Sequence, residues 1–312
     1  MTAVSRPSLS IIIPMYNRAA LIARALESCL RQSMMDWEAV VVDDGSTDGS
    51  AEVVQNCRDP RVRLVRLADN RGQCLARNAG AQEARADWLL FLDSDDELAP
   101  GALELVRATC ESAAPDVGKI FYCCRWDDGT ISPDPPFPSE SLDYTGYLRW
   151  LEAMTDRPTE AITAVRRERF LEVPYCAHRS EGLHNLDFAG RFTAVGRPEV
   201  IRLYHQDAQN RLMGTTTSPK RLLAEASGHA AHADAVLERH GPALRRWAPT
   251  VYAAYLRSGG LSHALAGRRL RGFAMAASAW VRRPTDVKAA AVAGLAMLPP
   301  AVLASVRARV GS

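Results

Sequence analysis

Residues 37–50 read WEAVVVDDGSTDGS, and residues 87–98 read DWLLFLDSDDEL. Each is an apolar run, β-branched or aromatic, that stops abruptly in carboxylates and turn residues, the pattern of a buried strand carrying polar groups to its tip. Two similar runs, LSIII at 9–13 and VRLVRL at 62–67, belong with them. Helix-like stretches lie between the four, near 19–33, 48–57 and 72–85, and another follows at 100–113. This alternation predicts an α/β fold with a Rossmann-like, mostly parallel sheet flanked by helices. In such sheets ligands bind at the carboxyl ends of the strands, where the Asp-rich tips fall.

Beyond residue 115 the regularity weakens. The Pro-, Asp- and Ser-rich stretch Asp127 to Asp143 reads as a long surface loop or flap. A helix is expected near 144–154, a strand near 160–165, a helix near 180–194, and a strand from Glu199 to Tyr204 ending in His205. From Pro219 the chain becomes rich in Ala, Leu and Arg. Breaks at Gly241-Pro242, Gly259-Gly260 and Pro284 predict three or four consecutive helices. With 312 residues the chain has room for one large domain and an appendage. The expected divisions are 1–115 and 116–217 as two halves of the α/β domain, and 218–312 as a basic helical subdomain.

Hydrophobic residues make up 47% and charged residues 24% of the chain, which excludes fibrous and disordered classes. Seven scattered cysteines without a CxxC spacing point to a reducing cytoplasm. No cleavable leader is expected before the first strand. Net charge is +2, but from Ser218 onward 14 Lys and Arg face 4 Asp and Glu, leaving about −8 for the first 217 residues. A basic tail of this kind is either a solvated helical face or a surface that meets something anionic. The run VKAAAVAGLAMLPPAVLASV at 287–306 is too Ala-rich, and too interrupted at Pro299-Pro300, to cross a bilayer. Flanking Arg282, Arg283, Lys288, Arg307 and Arg309 suit peripheral contact with an anionic membrane surface at its inner face; a helical subdomain packed on the sheet is the alternative. No nucleic-acid partner is expected.

Three strings carry chemistry. In IIIPMYNR (11–18), Pro14 and Tyr16 follow the first strand and can clamp a flat base, while Asn17 can equally cap the next helix. In the second string Asp43 and Asp44 stand at a strand tip, Gly45 permits a tight turn, and Ser46, Thr47 or Asp48 can cap a helix. In the third, Asp93, Asp95 and Asp96 share one loop. Three adjacent carboxylates repel one another unless a cation or hydrogen-bond donors share them, and hard oxygen ligands suit Mg2+ or Mn2+ bridging a diphosphate. A solvated helix start complementing the helix dipole is the other reading.

In order, the chain shows P-x-Y-N, V-D-D-G-S-x-D, N-x-G-x-x-x-A-R-N-x-G at Asn70 to Gly80, and L-D-S-D-D. These motifs resemble the N-terminal half of the family 2 glycosyltransferases, closely over 8–110 and more loosely to about 213. The resemblance implies the GT-A fold and metal-dependent, inverting transfer of a sugar from a nucleotide-diphosphate sugar, a UDP-sugar foremost, to a carbohydrate or lipid-linked glycan acceptor. Bacterial cell-surface polysaccharide or glycolipid assembly is the implied setting. It further implies that Pro14, Tyr16 and Asp44 hold the base, that Asp93 lies near the ribose with Ser94 beside it, and that Arg77 lies near the donor. Asp95 would bind the metal, Mn2+ or Mg2+, with Asp93 and His205 contributing, and Asp96 competes with Asp95 for that role.

An inverting transfer needs a carboxylate to take the acceptor's proton. Where the family commonly has Glu-Asp, this chain has Glu181-Gly182, and Glu181 is the expected base. Counting back from Arg191 and Gly196 puts His184-Asn185 there instead, and Glu181 and Asn185 share one helix face in either register. Asp187 is the fallback. Glu225, His229 and His232 have helical spacing, but no fourth ligand supports zinc.

A dinucleotide-binding oxidoreductase would need G-x-G-x-x-G where this chain has PMYNRA, and a phosphate-loop hydrolase would need a G-K-S/T that is absent. The Gly-rich basic signature of a nucleotidyltransferase is missing too. A second class stays open, a catalytically degenerate nucleotide-sugar-binding module, resting on the missing Glu-Asp pair.

Overall fold

The computed structural model describes residues 6–176, 181–207 and 218–310. The chain divides into two compact units, one running up to Tyr147 and resuming at Asp156, the other joining Leu148–Thr155 to the chain from residue 209 onward.

In the first unit the strands are β1 (Leu9–Met15), β2 (Trp37–Asp43), β3 (Val62–Arg66), β4 (Trp88–Phe91), β5 (Glu97–Leu98), β6 (Val117–Trp126), β7 (Ile131–Ser132), β8 (Ala161–Arg166) and β9 (Thr193–Tyr204). Between them run α1 (Ile22–Leu30), α2 (Ser50–Asn56), α3 (Gln73–Glu83), α4 (Ala102–Ser112), α5 (Tyr144–Ala153), which from Leu148 on belongs to the second unit, α6 (Arg167–Glu172) and α7 (Glu181–Ala189). The strands form one sheet in the order β3-β2-β1-β4-β8-β6-β9-β5, with β7 paired to β6. The four N-terminal strands are parallel, as the alternating pattern predicts. Beyond β4 the sheet is mixed: β8 runs antiparallel to both neighbours, and β9 is parallel to β6. Every residue of β1 and β2 is buried, since helices cover both faces.

The central strand β6 has no counterpart in the sequence reading. The expected strand beginning at Glu199 is the second half of β9, which starts at Thr193. Pro198 falls where the β6–β9 register shifts, between Arg197 and Val200, an irregularity that tolerates a residue without an N–H. The Asp127–Asp143 stretch is anchored from its middle. Phe137 is buried with its ring stacked on Phe121 at 4.4 Å, and the Pro138 carbonyl accepts the Gly196 N–H at 2.6 Å.

The second unit contains α8 (Pro219–Trp247), α9 (Pro249–Leu265), α10 (Arg269–Arg282), α11 (Val287–Leu295) and α12 (Pro300–Val310). Two expected breaks are continuous helix. Gly241-Pro242 lies within α8, and Gly259-Gly260 lies within α9. The latter pair serves packing, because a Cβ on Gly260 would sit 2.8 Å from the Gly272 carbonyl of α10, closer than real Cβ atoms come. Pro284 and Pro299-Pro300 do fall at helix ends. No helix among the described residues is long and apolar enough to cross a membrane.

Candidate active site

The four motifs meet at the carboxyl ends of β1, β2 and β4, tied by side-chain bonds between distant parts of the chain. Asn17, with φ +50°, does not cap a helix: its carboxamide accepts the Thr47 N–H at 2.9 Å, and its own N–H reaches Ser46 Oγ at 3.0 Å. Asp48 accepts the Ala19 N–H at 3.1 Å, and Ser50 Oγ the Arg18 N–H at 2.7 Å, so the loops after β1 and β2 brace each other. The N-cap of α2 is Gly49, which makes no side-chain cap. Gly45 has φ +77°, and a Cβ there would lie 2.9 Å from the Asn70 nitrogen, so the second motif admits only glycine against the third.

Asp44 is buried and its carboxylate accepts the Arg71 and Gly72 N–H groups at 2.8 and 2.7 Å. Burial raises its pKa despite those donors. Its own N–H bonds the Met15 carbonyl at 2.8 Å, placing it beside the first motif. There Pro14 is buried within β1, while Tyr16 is 43% exposed. Pro14, Tyr16 and Asp44 are thus gathered at the carboxyl ends of β1 and β2.

At the tip of β4, Asp93 is held from three sides. Gln73 Nε2 and Arg77 Nη2 both donate to Oδ1 at 2.7 Å, and Arg202 Nη2 donates to Oδ2 at 2.9 Å. Burial opposes its ionisation, but Arg202 and Arg77 outweigh it and hold the carboxyl below the usual range. Arg202, from β9, also donates through Nε to Asp96 Oδ2 at 2.6 Å, and the His205 N–H bonds Asp96 Oδ1 at 2.9 Å. Asp96 is pushed up to about 7, by burial first, with Asp93 adding to the effect and Arg202 opposing it. Ser94 is buried between these two carboxylates in sequence.

Asp95 differs from its neighbours. Its side chain is 21% exposed, with Arg18 Nε at 3.8 Å, and its pKa is raised by burial and by the charge of Asp93. Its carbonyl accepts from Arg24, which also clamps Asp207 at 2.8 and 3.0 Å. His205 is not brought to Asp95. Its ring nitrogens face Asp127 at 2.7 Å and Glu97 at 2.9 Å. Nor do three His, Cys, Asp or Glu side chains converge as a ready metal cage among the described residues. Of the expected trio of Asp95, Asp93 and His205, Asp93 has both oxygens bonded to cationic or amide donors and His205 bonds Asp127 and Glu97 instead. Asp95 fits a hard divalent ion of the kind held by one carboxylate together with substrate phosphates.

Arg77 links the two halves of the site, bonding both Asp93 and Glu181. It is 7% exposed, donates to Asp93 and to Glu181, and is backed by the Phe91 and Tyr175 rings, each 5.8 Å away. Both carboxylates raise its pKa against the effect of burial. Glu181 opens α7 with its side chain 54% exposed. One turn on, Asn185 accepts from buried Lys119 at 2.7 Å, with His184 at 3.5 Å from the same ammonium. Burial pushes Lys119 down to about 7 and His184 well below its usual value. The charge of Asp187 acts on Tyr144. Of the carboxylates considered for proton transfer, Glu181 is the one joined to the donor-side cluster.

Three residues of this network are absent from the sequence reading. Arg202 shares its strand with Arg197 and Glu199, and Lys119 shares its strand with Arg125, so nothing in the sequence marks which of these charges is buried. Glu160, one residue before β8, is raised by burial within the field of Arg202, Asp93 and Glu181. The signal for Arg202 was its counterpart: three clustered carboxylates require a buried cation somewhere.

The family model of glycosyl transferase family 2 matches residues 10–177, more than half of the chain. Succinoglycan biosynthesis protein ExoO of Rhizobium meliloti is 41% identical over 111 residues, which are 36% of this chain and 32% of that protein. The chain spans about a third to two fifths of the length of curated relatives such as this one. Among solved structures, S. aureus TarS 1–349 in complex with UDP-GlcNAc superposes with a TM-score of 0.61 at 17% identity, covering 98% of this chain and 92% of that one. The mannosyltransferase PcManGT from Pyrobaculum calidifontis, in complex with GDP-Man and Mn2+, gives 0.54 at 20% identity, covering 98% and 88%. The fold is that of the GT-A glycosyltransferases. The chain belongs to glycosyl transferase family 2.

Proposed function

We propose that this glycosyltransferase moves a sugar, with inversion, from a nucleotide-diphosphate sugar to a hydroxyl of a carbohydrate or lipid-linked glycan in the assembly of a bacterial surface polysaccharide or glycolipid. The observation that carries the reading is the convergence of all four motifs through bonds between them: Asn17 to Thr47, Asp44 to Arg71 and Gly72, Gln73 and Arg77 to Asp93, and Arg18 toward Asp95. In this reading Pro14, Tyr16 and Asp44 hold the base, Asp93 and Ser94 lie at the ribose, and Arg77 aligns the donor-side carboxylate with Glu181. Asp95 would hold Mn2+ or Mg2+, which when bound neutralises charge on the departing diphosphate.

Glu181 takes the proton of the acceptor hydroxyl as its oxygen bonds to the anomeric carbon from the face opposite the diphosphate. The bond from that carbon to the phosphate oxygen breaks, and the nucleoside diphosphate leaves with the electron pair. Arg77 positions Glu181 for this step by fixing its carboxylate from the donor side. UDP-GlcNAc and GDP-Man in complexes of structural neighbours support a nucleotide-sugar donor, and succinoglycan biosynthesis in a relative supports the polysaccharide setting. The basic second unit supports work at the inner, cytoplasmic face of a membrane. The test is incubation of purified protein with a donor panel and a lipid-linked acceptor extract, reading nucleoside diphosphate release and anomeric configuration of the product. Release without transfer, or retained configuration, overturns the proposal.

A further inference from the structure

Helix α10 of the second unit has two apolar faces, and packing explains only one. Gly272, Ala276 and Ala279 are buried, and Gly272 and Ala276 lie against Gly260 of α9. On the opposite side Leu270, Phe273, Trp280 and Val281 are 76, 46, 44 and 70% exposed. With Ala274 and Ala277 they follow a spacing of i, i+3, i+4, i+7, i+10 and i+11, one continuous stripe on a 3.6-residue helix. A helix face turned to water alone would carry polar residues there. Val287 of α11, Met297 between α11 and α12, and Val302 of α12 are exposed as well.

Charge narrows the choice of occupant. From Gly241 to the end of the sequence, 11 Lys and Arg face a single acid, Asp286. That acid is already engaged, pairing with Arg257 and capping α11. The stripe on α10 is bordered by Arg269, Arg271 and Arg282, and the helix contains no carboxylate. At its carboxyl end Arg245, Arg282 and Arg283 line a cleft of about 530 Å³ with Tyr252. The neighbouring amino end of α9 is satisfied within the unit, the Thr250 and Val251 N–H groups donating to Glu152.

We propose that this face of the second unit docks on an anionic lipid surface, with Leu270, Phe273, Trp280 and Val281 entering the boundary between headgroups and acyl chains and Arg245, Arg282 and Arg283 meeting lipid phosphates. Aromatic and branched residues flanked by arginine, without carboxylates, are what an interfacial helix requires. Each added cation strengthens attraction to an anionic leaflet. The proposal gives the membrane-facing part of the proposed function a specific surface, and because lipid binding is read without donor, its failure and the failure of the transferase reading are distinguishable.

The experiment is co-sedimentation of the full chain with vesicles of phosphatidylglycerol and phosphatidylcholine in equal parts, and with phosphatidylcholine alone. The expected result is binding to the anionic vesicles only, weakened by salt. A double variant Phe273→Ser, Trp280→Ser and a second, Arg282→Glu, Arg283→Glu, should each lower partitioning at least tenfold. Circular dichroism identifies any variant that has lost its fold, and the other then decides. Equal binding to neutral vesicles, no binding by the parent, or folded variants that bind like the parent would overturn the proposal. So would a dimer of the parent in analytical ultracentrifugation that the first variant dissociates, since that assigns the face to a second copy.

Discussion

Replacing Arg202 with methionine isolates the feature on which the donor-side loop depends. Arg202 is 4% exposed and its guanidinium is shared by Asp93 at 2.9 Å and Asp96 at 2.6 Å. Methionine keeps much of the volume but leaves two adjacent carboxylates without their common partner. Removing one member of a buried ion pair costs about 3–5 kcal/mol. In a unit of this size each kcal/mol lowers the melting temperature by roughly 2–4 °C, so a loss of about 6–20 °C is expected. The loss should depend on pH. Burial holds Asp96 at about 7 in the folded protein against 3.8 for a free carboxyl, so Asp96 contributes stability below 3.8 and loses it as pH rises through about 7. Without Arg202 its pKa climbs further and that decline continues above pH 7, where the parent has completed it. Asp93 is held low, so its share of the penalty is already present at pH 6 and stays constant above it. Thermal unfolding followed by circular dichroism at pH 6.0 and 8.5 should therefore show a larger deficit at 8.5. A deficit below about 3 °C, or the same deficit at both pH values, would refute the charge-sharing argument.

Asp95→Asn should leave the melting temperature within about 2 °C, its side chain being 21% exposed and 3.8 Å from Arg18, while abolishing the divalent-ion dependence of donor binding in calorimetry. Glu181→Gln should spare donor binding and lower kcat by about 10²–10⁴ in a transfer assay, and full activity would remove Glu181 from the base role. Gly45→Ala meets both a positive φ and the Asn70 nitrogen at 2.9 Å, so chemical denaturation should report a loss of about 1–3 kcal/mol.

The donor half was readable because its strands are mostly apolar runs separated by helices, so β1 to β4 and the carboxylate tips of β2 and β4 follow from pattern. The placing of Asp93, Asp95 and Asp96 in one loop rested on the same regularity, and the place of Asp44 beside them on the family resemblance. What escaped it depends on contacts far apart in sequence. β6 runs VGKIFYCCRW, with a glycine and a lysine in its first three residues, and only its position between β8 and β9 makes it a strand. Lys119 there is buried against Asn185, 66 residues away, and Arg202 reaches Asp96 across 106. The metal role of His205 came from the resemblance, and its two carboxylate partners, Asp127 and Glu97, lie 78 and 108 residues away, beyond the reach of local pattern. Gly259-Gly260 read as a break, since a close helix crossing and a helix end call for the same residue.

Calorimetric titration of the parent and Asp95→Asn with UDP-, GDP- and dTDP-sugars, in Mn2+ and then in EDTA, tests the central claim most directly. Saturable binding of one donor by the parent in Mn2+, lost in EDTA and lost in Asp95→Asn, is the expected result. Binding of no donor by the parent, or equal binding by both proteins in EDTA, would contradict it.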